Sequence, residues 1–293
     1  MDIKLNTIKK IDSEFEFQAS FSQSNLWLMD QLIDNKSVYN IASEIDISGN
    51  LDEKILEDCL NEIVSRHETL RTYFEMVDGE LMQIIKEAQP LYFEHVNLGN
   101  LSGNQKEKQC NVIAKREATY QFNLSSPPLL RAVLVQLNNN EYKLFLTLHH
   151  IIADGWSVGV LVREMSILYD AALKGKPFNL PALEIQYADF SEWERESVKE
   201  GRLDEKLEFW KEYLSGEIPV LELPTNYPRS SNQTFKGAIF EFKIPSDLTK
   251  AIKELGNKEN TTLYMTLLSA FKIFLYRLSG QTDILVGSPA ANR

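Results

Sequence analysis

The sequence predicts an α/β chain of the α+β type, with mixed sheets and flanking helices in two lobes, and three observations carry that prediction. Residues 70–77 and 81–86 flank Asp78-Gly79, a strong short hairpin signal, so antiparallel strands are expected early in the chain. An apolar run at 144–148 leads into His149-His150, and apolar residues then recur at helical spacing through residue 173. The stretch 174–183, with glycine and two prolines, separates this pattern from a second periodic region and reads as a linker.

Taken in order, residues 22–33 have the pattern of a short amphipathic helix, and 39–47 alternate apolar and polar residues as a half-buried strand does. Leu51, Ile55, Cys59, Leu60, Ile63 and Val64 form one helical stripe, with Asp52 and Glu53 in the first turn where the helix dipole favours acids. Residues 131–137 and 142–148 flank the turn-prone Asn138, Asn139 and Asn140, and form a second predicted hairpin. Beyond the linker, 187–210 is helical, 221–236 is a Pro- and Ser-rich loop, and 240–244, 248–255, 262–278 and 283–286 read strand, helix, helix, strand. The lobes are therefore expected at 1–175 and 176–293.

With 293 residues, 43% of them hydrophobic, the chain has enough material for a large core. Its 31 basic and 42 acidic residues give a net charge of -11, which argues against nucleic-acid or anionic-membrane partners. Cys59 and Cys110 lie in helical patterns far apart in sequence and read as buried thiols, a usage that fits a reducing, cytoplasmic compartment. The amino terminus has no apolar core of signal-peptide length, and no run approaches the ~20 apolar residues of a membrane span.

Residues 149–157 (HHIIADGWS) are the most informative segment. Adjacent strand side chains point to opposite faces, so one histidine can enter a cavity while the other packs behind it. That divergence, with no cysteine or further histidine nearby, disfavours a metal site. A base, a carboxylate and a helix-opening glycine at this spacing point to acyl transfer, although HxxxDG by itself is a modest signal. Asp154 is open to two readings, one orienting a histidine and one stabilising the strand-to-helix loop. His67 and His95 carry no chemical signal and are assigned to structure or surface, and Arg66 is expected to be solvated.

Four further segments accompany this one: residues 22–28 (SQSNLWL), 66–74 (RHETLRTYF), 187–193 (YADFSEW) and 286–293 (VGSPAANR). With them the whole chain resembles the condensation domains of nonribosomal peptide synthetases, which share the chloramphenicol-acetyltransferase-like fold. The resemblance implies amide formation between a donor acyl or peptidyl thioester and an acceptor aminoacyl thioester. Both are presented on the phosphopantetheine arms of peptidyl carrier proteins, with an adenylation domain adjacent and no cofactor or metal bound by the domain itself. It implies His150 at the reacting amine as base or positioning group, and Gly155 with its backbone N–H facing a developing oxyanion. His149, Asp154, Trp156 and Ser157 are support, Asp154 forming an ion pair with Arg293, and Arg71 is a tunnel candidate.

Family members continue beyond the fifth motif, on whose last residue this chain stops, so the second lobe is expected to be incomplete, with exposed edge and core. Met1 precedes the first motif by only about twenty residues, from which a donor arriving in trans or as a free acyl thioester is expected. Two rival readings are a coenzyme A-dependent acyltransferase of the same fold, and an inactive module that docks carrier proteins.

Overall fold

The structure is a computed structural model and describes residues 8, 16–228, 237–238 and 240–288. The chain divides into two compact units, Met1–Asp204 and Glu205–Asn292.

The first unit opens with strand β1 (Glu16–Gln18), helix α1 (Phe21–Leu32), strand β2 (Asn40–Ser48) and helix α2 (Glu53–Arg66). A hairpin of β3 (Thr72–Val77) and β4 (Glu80–Ile85) follows, then β5 (Phe93–Asn97) and α3 (Gly103–Ala118). A second hairpin, β6 (Leu130–Asn138) and β7 (Glu141–His149), delivers the chain to α4 (Gly155–Leu173) and then α5 (Tyr187–Lys199). The expected turn at Asp78-Gly79 is present with both residues at positive φ, 51° and 86°, the backbone that matches the twist of the flanking strands. Asp52 caps α2 as its position suggested, accepting from the Ile55 N–H at 3.0 Å.

Two sheets result. β1-β4-β3 is antiparallel, and β2-β7-β6-β5 is antiparallel except for the parallel β5–β6 pair, so the second sheet is mixed. The central strands explain why 144–148 shows no polar alternation. Leu144, Leu146 and Leu148 pack in one core with residues of α2 and α4, while Phe145 joins a second core with Cys110 and Ile113 of α3. Both faces of the sheet are covered, and both faces are apolar. Cys59 and Cys110 are buried and unbridged; burial, then Asp58 and Glu62, pushes the Cys59 thiol up to about 11.

The division at Asp204 differs from the boundary expected after residue 175. The reason is α5, which packs on β1 and clamps the start of α1. Arg195 donates to the Ala19 carbonyl at 2.9 and 2.6 Å, Ser191 Oγ donates to the Gln18 carbonyl at 2.7 Å, and Glu194 accepts the Phe21 N–H at 2.9 Å. These contacts cross more than 170 positions, and local pattern does not reveal them.

The second unit contains α6 (Asp204–Tyr213) from its second residue on, α7 (Ser246–Lys258) and α8 (Leu263–Ser279). Thr262 caps α8 at the Met265 N–H, 3.2 Å away, and Gly280 ends it at φ 72°, a left-handed position that favours glycine. Phe271, Ile273 and Phe274 of α8 are exposed. The segments 240–244 and 283–286, expected as strands, make no ladder among the described residues, and an apolar alternation without a partner strand forms no sheet.

Candidate active site

The two histidines part at the end of β7, whose last residue is His149, with His150 just beyond it. His149 pairs with Asn40 across β2–β7 and points to the face opposite Leu148. It is fully buried, with its ring edge-on to Tyr39 and Phe122 at centroid distances of 6.4 and 6.2 Å. Its Nδ1 accepts the Ile151 N–H at 3.1 Å, which places the proton of the neutral imidazole on Nε2. Burial, then the neighbouring His150 and Lys36, pulls its pKa down to about 4. A fully buried, neutral ring of this kind shapes the loop and cannot meet a substrate.

His150 begins the turn after β7 and is exposed on the first unit. Its backbone N–H donates to the Tyr39 carbonyl at 2.8 Å, and that of His149 donates to the Leu129 carbonyl at 3.0 Å. The loop between strand and helix is thus fixed through its main chain while the second imidazole faces outward.

Asp154 is the N-cap of α4. Its Oδ1 accepts from Ser157 N at 2.8 Å and Ser157 Oγ at 2.6 Å, and its own N–H donates back to Ser157 Oγ at 3.1 Å. This reciprocal box is the loop-stabilising alternative named for Asp154, and it gives Ser157 a definite job. Arg293, the ion-pair partner implied by resemblance, lies outside the described residues. Gly155 is the first residue of α4, where backbone N–H groups have no carbonyl within the helix to bind. A Cβ there would meet nothing within 4 Å, so the side-chain space beside it is open. Trp156 is 74% exposed.

A cavity of about 210 Å³ lies against this loop, with Ile152, Asp154 and Ser157 on one wall and His67, Thr69 and Leu70 on another. Arg71 does not line it. Its guanidinium donates to the Lys86 carbonyl and lies 3.5 Å from Glu68, tying the 3-10 turn Glu68–Arg71 to the residue that follows β4.

The sequence pattern does not reveal a polar cluster that the fold assembles here. Arg66 is not solvated: it lies 3.3 Å from the buried Glu164 and donates to the Pro181 carbonyl at 2.6 Å. His67 Nε2 meets the same Glu164 oxygen at 2.7 Å. One signal does exist, since Glu164 falls between Leu161, Met165 and Leu168 in the inward stripe of α4, and an acid in such a stripe requires partners. His95 is a surface residue, 2.9 Å from Glu53 and edge-on to Phe93. Among the described residues no three His, Cys, Asp or Glu side chains are grouped to hold a metal, and no helix is long and apolar enough to cross a membrane.

Comparison with known proteins gives a concordant result. The family described as "Condensation domain" matches residues 14–293. The chain is 38% identical over 291 residues to malpibaldin synthetase of Mortierella alpina, covering 98% of this chain and 5% of that protein. It is 36% identical over 285 residues to phosphinothricin tripeptide synthetase PhsC of Streptomyces viridochromogenes, covering 97% of this chain and 26% of that one. The chain therefore spans a small fraction of the curated relatives it matches. Among solved structures, the first condensation domain of the CDA synthetase superposes with a TM-score of 0.75 at 19% identity, over 96% of this chain and 67% of that one. The X-domain from teicoplanin biosynthesis gives 0.82 at 22% identity, over 95% and 61%. These two likenesses show the fold.

Proposed function

Because this chain belongs to the condensation-domain family, we propose that it forms an amide bond between two carrier-bound thioesters in the manner of a nonribosomal peptide synthetase. The observation that carries the reading is the junction of β7 and α4, where an outward His150 and a helix-opening Gly155 flank a loop fixed through its main chain.

The chemistry asks little of the protein. An α-amine has a reference pKa of about 7.7 to 8.0, so near neutrality part of the acceptor is already nucleophilic. Its nitrogen attacks the donor thioester carbon, the carbonyl oxygen takes up negative charge, and the C–S bond then breaks to release the donor phosphopantetheine as a thiol. His150 accepts the proton lost by the amine, or holds the amine in line by a hydrogen bond, and can return that proton to the departing sulfur. The Gly155 N–H faces the oxyanion. Bringing two tethered reactants together supplies as much as the proton transfer does, or more. Arg71 acts through the turn it braces, and Asp154 pairs with Arg293.

The partners in this reading are an upstream donor and a downstream acceptor carrier protein, with an adjacent adenylation domain, in the cytoplasm. Phosphopantetheine is the substrate's tether, and the domain needs no cofactor of its own. The coenzyme A-dependent alternative is not favoured, since the matching family is the condensation domain and one relative is a tripeptide synthetase. Incubating the full-length protein with loaded donor and acceptor carrier proteins, and following the amide product by mass spectrometry, tests the proposal. Binding of both carriers without amide formation would establish the docking-module reading instead.

A further inference from the structure

Residues 66–69, which join α2 to the turn before β3, touch the histidine loop and its helix at two places. Thr69 Oγ1 donates to the Ile152 carbonyl at 2.9 Å. Ile152 is 3% exposed, so little solvent reaches that residue to replace the donor. On the helix that follows, Glu164 is 7% exposed and receives His67 Nε2 at 2.7 Å, with Arg66 Nε 3.3 Å from the same oxygen. The segment is itself held firmly. Gln186 donates to the Arg66 carbonyl at 2.9 Å and accepts the Glu68 N–H at 3.2 Å, while Thr72 Oγ1 donates to the Glu68 carbonyl at 2.7 Å. Between segment and loop lies the cavity of about 210 Å³, so apolar packing there is incomplete and the polar contacts set the register.

We propose that residues 66–69 are a positioning clamp on the acyl-transfer loop, with Thr69 fixing the loop at Ile152 and Glu164 fixing α4 through His67 and Arg66. None of these groups is a catalytic residue; they act through the placement of His150 and the Gly155 N–H. The catalytic consequence rests on the condensation reading above, whereas the mechanical consequence stands on the contacts alone.

The test uses the full-length protein carrying Thr69→Val, Thr69→Ser or Glu164→Gln. Two quantities are read: amide hydrogen exchange in residues 149–157 against that of α3, and kcat and KM for amide formation with loaded carrier proteins. Thr69→Val should speed exchange in the loop about tenfold with α3 unchanged, and lower kcat about tenfold at constant KM, the scale of one hydrogen bond. Thr69→Ser should restore both. Glu164→Gln, which keeps an acceptor but loses the charge, should fall between; if it fails to fold, the threonine pair carries the test. Unchanged loop exchange in Thr69→Val, or a Thr69→Ser variant as impaired as the valine, overturns the clamp. A wild-type protein that makes no amide, while Thr69→Val still loosens the loop, overturns the condensation reading and leaves the clamp standing.

Discussion

His149 Nδ1 lies 3.1 Å from the backbone nitrogen of Ile151, and this contact divides the work of two adjacent histidines. A ring that accepts a main-chain N–H from two residues ahead braces the turn from which His150 projects. Removing either imidazole should therefore have opposite signatures. His150→Ala is expected to lower amide formation by about 10²-fold or more, the scale of a lost general base, with an unchanged melting curve. His149→Ala leaves a buried void and an unsatisfied N–H, and should cost a few kcal/mol of stability. Paired melting curves and turnover numbers check the assignment; a His149 variant that melts normally but does not turn over reverses it.

The same burial makes His149 a source of acid sensitivity. Its pKa falls from 6.5 to about 4 on folding, so between those values the unfolded chain binds more protons than the folded one. Stability is then complete above pH ~6.5 and is lost as pH falls towards 4, by up to about 3 kcal/mol from this group. His149→Phe keeps a ring but cannot titrate. Denaturant unfolding at pH 7 and 4.5 should show a smaller pH loss in the phenylalanine variant than in wild type, and equal losses would exclude His149 as the cause.

Behind the histidines, Glu117 is 1% exposed and is held by Arg131 at 2.8 and 3.2 Å and by Arg116 at 2.7 Å. Burial opposes its ionisation, but the hydrogen bonds and charge of Arg131, then those of Arg116, outweigh that and hold its carboxyl below the usual range. Arg131 also lies over the Tyr120 ring at 4.1 Å, and Tyr120 packs edge-on to Phe122, which packs edge-on to His149. Glu117→Ala should cost about 1 to 3 kcal/mol, because Arg131 loses its partner in a partly dry site while Arg116 keeps Glu94 at 2.8 Å. Chemical denaturation measures it, and a cost below ~1 kcal/mol would show that water compensates.

What was legible in the sequence were the features set by neighbours along the chain. The Asp78-Gly79 hairpin and the Asp52 cap follow from turn chemistry and capping. Contacts made by one residue with a distant segment were not legible. Arg195 at Ala19 is separated by 176 positions and Arg66 at Glu164 by nearly a hundred, and a charged residue on a helix reads as solvated until its partner is known. Family resemblance supplied the order of the motifs, and it did not point to Arg66 or His67 meeting Glu164.

Asp154 is where capping and ion pairing can be separated. Its box with Ser157 satisfies donors at the start of α4, and asparagine caps about as well as aspartate. If the cap were its whole role, Asp154→Asn would be close to neutral and Asp154→Ala would cost about 1 kcal/mol. The expected ion pair with Arg293 adds a second loss that asparagine cannot avoid. Asp154→Asn should therefore destabilise measurably, and its loss should be strongly non-additive with Arg293→Ala, since the second deletion removes a charge already left unpaired. A double-mutant cycle on the full-length protein reads this coupling directly. A coupling below about 0.5 kcal/mol, the range of independent sites, would remove the ion pair from the account of the site.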